Sequence, residues 1–69
     1  MVEVFKTNVK KAGEARRVIT ELLHHFPGKK INFDLSDCDK VLRIEGENVI
    51  NCRVKDILSE HGFMCEELE

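Results

Sequence analysis

The sequence has no tryptophan, no tyrosine, only one proline and no apolar run approaching membrane-spanning length. Each scarcity removes a class of function. Proteins that read RNA or single-stranded nucleic acid stack bases on aromatic side chains, and this chain offers four phenylalanines. A bilayer span needs about 20 consecutive apolar residues, and the N-terminal MVEVFKTNV has no apolar signal-peptide core. No membrane association and a cytoplasmic location are therefore expected. Positive charge is not in excess: 11 Lys and Arg stand against 13 Asp and Glu, a formal net charge of −2. That balance lacks the basic footprint of sequence-independent nucleic-acid binding. Phosphate-cradling loops are missing too, since Gly13 stands alone and neither Gly-x-Gly-x-x-Gly nor a Walker pattern occurs.

Cysteine is scarce in a different way. Cys38, Cys52 and Cys65 cannot all pair within the chain, and no two form a Cys-x-x-Cys couple. They read as free thiols of a reducing compartment, where a cysteine is by default a small buried hydrophobe. What remains is 69 residues, 42% hydrophobic, enough for one small domain with a modest core. So short a chain has little room for an enclosed active site and the scaffold to hold it, so a binding or carrier module is expected rather than an enzyme.

The residues that are present fall into clear periods. Val2-Glu3-Val4-Phe5-Lys6-Thr7 is alternating and β-prone and predicts a strand. Asn8 is a candidate helix cap. From Glu14 the apolar positions Ala15, Val18, Ile19, Leu22 and Phe26 lie on one helical face, and Pro27-Gly28 ends that helix. Ile31, Phe33 and Leu35 alternate with polar residues in a second strand, residues 36–39 make a turn, and Val41-Leu42-Arg43-Ile44 forms a third strand before Gly46. Asn51 is a candidate cap for a second helix with Val54, Ile57 and Leu58 inward and Gly62 just beyond its end. The tail, residues 63–68, is long enough for a last short strand.

The order β-α-β-β-α-β, with two amphipathic helices, is best satisfied by an α+β, ferredoxin-like sandwich: a four-stranded antiparallel sheet with both helices on one face. Right-handed crossovers give the sheet order 4-1-3-2. The loop after strand 1 (residues 9–14), the hairpin turn (36–39) and the turn before the last strand (61–64) then share one end of the domain. The end of helix 1, the Gly46 turn and the start of helix 2 share the other.

FKTNV, a helix, a strand closing on Asp34-Leu35, the stretch Asp39-Lys40-Val41-Leu42-Arg43-Ile44-Glu45-Gly46 and a final helix ending at Gly62-Phe63 together resemble a heavy-metal-associated (HMA) domain. Copper chaperones and metal-transport ATPases carry such modules. The resemblance spans essentially all of residues 1–69 as a single domain. In that family the loop after strand 1 carries Met-x-Cys-x-x-Cys, whose thiolates bind Cu(I) or another soft metal. Here the aligned stretch is Val9-Lys10-Lys11-Ala12-Gly13-Glu14: Val9 keeps the apolar anchor, and Lys11 and Glu14 stand where the two cysteines would be. An ammonium group cannot ligate, and Cu(I) selects thiolate and thioether donors. The family's metal site is thus expected to be lost, with Lys11 and Glu14 pairing as a side-chain ion pair at the helix start.

Other residues carry side chains of the type suited to the same task. Cys38, His61, Met64 and Cys65 fall at the loop end and are of ligand type for Cu(I) or Zn(II), with Phe63 beside them. Cys38 and Cys65 are expected on opposite sides of the sheet, too far apart to close one site. At the other end His24, His25 and Cys52 gather, and adjacent helical residues diverge by about 100°, so at most one histidine can face Cys52 across the helix seam. Asp37 and Asp39 flank Cys38 and disfavour a nucleophilic thiolate. The basic Lys10-Lys11 and Arg16-Arg17 and the acidic residues 66–69 are solvated faces able to steer a charged protein partner. The expectation is a small HMA-like domain without cofactor, a monomer or weak dimer, acting as a protein-interaction or regulatory module. The alternative is a soft-metal carrier or sensor using Cys38, Met64 and Cys65, with two copies pooling ligands.

Overall fold

The N-terminal strand lies in the middle of the sheet. The computed structural model describes residues 1–68 and arranges them as β1 (Val2–Thr7), α1 (Ala12–His25), β2 (Lys30–Asp34), β3 (Val41–Glu45), α2 (Asn51–Glu60) and β4 (Cys65–Leu68). All strand pairings are antiparallel, in the order β2-β3-β1-β4. A sheet has no preferred edge, and from the other side the same order reads 4-1-3-2. The domain is α+β, an open four-stranded sheet with two helices.

Register and alternation decide which side chains go inward. Phe5 pairs with Leu42, Ile31 with Ile44 and Phe33 again with Leu42, while Thr7 lies opposite Cys65. Phe5, Leu42 and Ile44 are fully buried and share one core with Ala15, Val18 and Leu22 of α1 and Val54, Ile57 and Leu58 of α2. One continuous core means that both helices cover the same face. The opposite face carries Lys30, Asn32, Asp34, Arg43, Glu45, Val2, Val4, Lys6, Glu66 and Leu68, a mixed and mostly polar surface.

Element boundaries differ from the sequence pattern in instructive ways. Helix α1 starts at Ala12, not Glu14, because Ala12 and Gly13 are solvent-exposed and leave no apolar mark. The last strand starts at Cys65, since residues 61–64 turn the chain. There Gly62 takes φ +86°, its N–H donates to the Ser59 carbonyl and the Phe63 N–H to the Leu58 carbonyl, both at 2.9 Å. These two bonds cap α2 in the Schellman manner and swing Phe63 back onto the core. Among the described residues no helix is long and apolar enough to cross a membrane.

Candidate functional site

The three loops at the end of β1 are tied together by hydrogen bonds centred on Thr7, the one buried polar residue among those described. Its Oγ1 donates to the Lys40 carbonyl at 2.6 Å and accepts the Val9 N–H at 3.2 Å. Its own N–H donates to the Asp39 carbonyl at 3.0 Å. A single hydroxyl thus clasps the β1–α1 loop to the β2–β3 turn. The third loop is fixed by Asn8, whose Oδ1 accepts the Met64 N–H at 2.8 Å. Asn8 is therefore not a helix cap; its acceptor is spent on a segment 56 residues away, and Lys11 takes the N-cap position.

Lysine is a poor cap, since it has no acceptor to offer the first-turn N–H groups. Only the return half of a capping box forms: Glu14 Oε1 accepts the Lys11 N–H at 3.3 Å. The carboxylate folds over the helix N-terminus, where the dipole favours it. The expected Lys11–Glu14 side-chain ion pair is absent among the described residues, whose lysine–carboxylate ion pairs are Lys6–Asp39 and Lys55–Glu67. Val9 is fully buried and anchors the loop, while Lys10, Lys11, Ala12 and Gly13 are exposed. Beside them Glu14, Arg17, His61 and Phe63 line a shallow cleft of about 120 Å³.

The ligand-type residues at this end are held in unequal states. Cys65 is half-buried, and burial is the main cause that pushes its thiol up to about 11, the nearby Lys55 charge offsetting only part. At neutral pH it is a protonated thiol, whose proton a metal would have to displace. Met64 is 66% exposed. Cys38 is exposed in the hairpin turn, where its sulfur and the carboxylates of Asp37 and Asp39 bring ligand atoms within 4.8 Å of one another. Both carboxylates are already engaged, Asp37 Oδ1 by the Asp39 N–H at 2.8 Å and Asp39 by Lys6 Nζ at 3.8 Å. Two strand spacings, about 10 Å, separate β4 with Cys65 from β3, beside which the Cys38 turn lies.

At the opposite end His25, not Cys52, forms the contact across the helix seam. His25 Nε2 lies 3.2 Å from Glu21 Oε2 and its Nδ1 lies 3.4 Å from Arg53 Nη2. One tautomer satisfies both: Nε2–H donates to Glu21 and Nδ1 accepts from Arg53. His24 and Cys52 are exposed. Asn51 likewise departs from its expected role as a cap. It is the first residue of α2, and its Nδ2 donates to Glu3 Oε1 at 3.0 Å and Glu67 Oε1 at 2.9 Å, leaving Oδ1 buried and unpartnered. That amide, followed by the Lys55 ammonium at 3.2 Å, holds the Glu67 carboxyl below its usual range.

Thr7 is the residue that local patterning misses, although one signal for it exists. It follows Phe5 and precedes Val9 in period two, so it must face inward with them. Compared with known proteins, the chain matches no family model and no curated protein.

Proposed function

We propose that the chain is a ferredoxin-like domain of heavy-metal-associated type whose loop end recognises a protein instead of holding a metal, a cytoplasmic regulatory or interaction module without catalytic activity. One observation carries this: the two positions that resemble the family's cysteine sites hold Lys11 and Glu14, and Glu14 is committed to the Lys11 N–H. Soft cations find no thiolate there. The same end offers Lys10, Lys11, Arg16 and Arg17, none of which has an ion-pair partner among the described residues. Unpaired cations on the β1–α1 loop and the start of α1, beside loops fixed by Thr7 and Asn8, suit an acidic protein surface, which they would attract at long range. Competition against a Cu(I) chelator tests the proposal, with no stoichiometric uptake expected; 1:1 binding at sub-micromolar affinity overturns it.

Met64, two-thirds exposed at that end, favours the second reading, a Cu(I) or Zn(II) carrier using Cys38, Met64 and Cys65 across two copies. It requires metal-dependent dimerisation that Cys65→Ser abolishes. Light scattering that reports a monomer with either metal dismisses it.

A further inference from the structure

We propose that the β2 edge is a self-association surface, on which a second copy of this chain pairs its own β2 antiparallel about a two-fold axis through Asn32. Strand β2 is an edge strand, so one side of its backbone has no strand partner, a standing template for strand addition. Its inward residues Ile31 and Phe33 are only partly buried against the core. The flank of α1 above this edge adds an exposed apolar side chain, Leu23. His25 faces Arg53 of α2, and Leu23, two residues earlier and thus about 200° away on the helix, points to the side away from α2. That side overhangs β2, on which α1 packs, and Leu23 is left 39% exposed there.

The sequence Lys30-Ile31-Asn32-Phe33-Asp34 is complementary to itself when reversed. Centred on Asn32, an antiparallel pair sets Lys30 opposite Asp34 of the second copy at both ends. Ile31 then faces Phe33 of the second copy on the helix side, so the apolar residues stay on the correct face. An isologous contact of this kind closes on itself as a dimer.

The other edge rejects the same arrangement. With faces matched, β4 can pair with itself only about Glu66 or about Glu67, and either register sets a glutamate against its own copy, like charges in opposition. Joining β2 to β4 with faces matched puts Glu67, which Asn51 and Lys55 already hold, against Ile31. The open-ended assembly is thereby disfavoured and the closed dimer retained.

Sedimentation equilibrium from about 10 µM to about 1 mM, with reductant and a chelator present, tests the dimer apart from any disulfide- or metal-linked one. A monomer–dimer equilibrium is expected. Lys30→Asp and Asp34→Lys each create like-charge pairs at both ends and raise the dissociation constant at least about tenfold. An equimolar mixture of the two variants restores association as a heterodimer, and the double variant dimerises like the parent. Leu23→Asp also weakens the dimer. All three positions are exposed, and far-ultraviolet circular dichroism verifies the fold of each variant. A monomer throughout the range, or a dimer that neither charge reversal affects or the mixture fails to restore, overturns the proposal. The surface is independent of the loop-end function proposed above, so either can fail without the other.

Discussion

Replacing Thr7 by valine keeps the shape of the side chain and removes its hydroxyl. The Val9 N–H, buried, then loses its acceptor and the Lys40 carbonyl its donor. Two hydrogen bonds are lost at about 1 kcal/mol each, and stranding a buried donor adds to that, for a total of about 2–3 kcal/mol. A domain of this size has about 3–10 kcal/mol in all, so the change is a large share. At about 4–8 °C per kcal/mol, the melting temperature should fall by roughly 10–20 °C. Thr7→Ser is the control: it keeps both bonds, gives up one buried methyl and should cost about 1 kcal/mol. Circular dichroism during heating and in urea measures both. Hydrogen exchange adds a local reading, since Val9 amide protection should vanish in the valine variant and survive in the serine one. A valine variant as stable as the serine variant, or more so, would refute the clasp.

Three further outcomes follow from the geometry. Ser36 lowers the Asp34 carboxyl and Asn51 that of Glu67; with folded values below the unfolded ones, their stabilisation is complete above the ordinary carboxylate range. It is lost as pH falls through the lowered values, and Glu67→Gln should flatten the acid limb of a urea-midpoint profile; an unchanged limb counts against it. In iodoacetamide at mildly alkaline pH, Cys38 and Cys52, both exposed, should alkylate quickly and Cys65 slowly, as peptide mass spectrometry will show, because burial holds its thiol near 11. Gly62→Ala should cost about 1 kcal/mol in urea unfolding, from the left-handed backbone alone, because an added Cβ meets nothing within 4 Å; a loss near zero would mean that the turn relaxes freely.

Periodicity was sufficient for what one element decides by itself. Val18, Leu22 and Phe26 marked the face of α1, and Pro27-Gly28 its end. The errors fall where a side chain answers to a distant segment. Asn8 and Asn51 have the composition of helix caps, and local preference places them so. In the fold their amides bind Met64, Glu3 and Glu67, up to 56 residues away, and such partners have no local trace. Lys11 and Glu14 were legible as a pair of positions but not in their bond, because a carboxylate near a helix start can take either an ammonium or a backbone N–H. Periodicity limits the contact with α2 to one of His24 and His25 but does not choose between Cys52 and Arg53, which diverge on the helix by about 100°; in the fold it is His25 with Arg53.

With β1 in the middle of the sheet, its pairing partners are remote: Val2 aligns with Glu45 and Val4 with Leu68. The central strand therefore closes large loops before it gains contacts, and the ordering entropy is spent early. Only β2 and β3 form a hairpin on their own. Within the domain β1 precedes β4, so it has no β4 neighbour until that strand has been made, and in the interval its edge is open to chaperones and misplaced partners. Cys65–Leu68 complete the pairing of β1 from the far side of the domain's sequence.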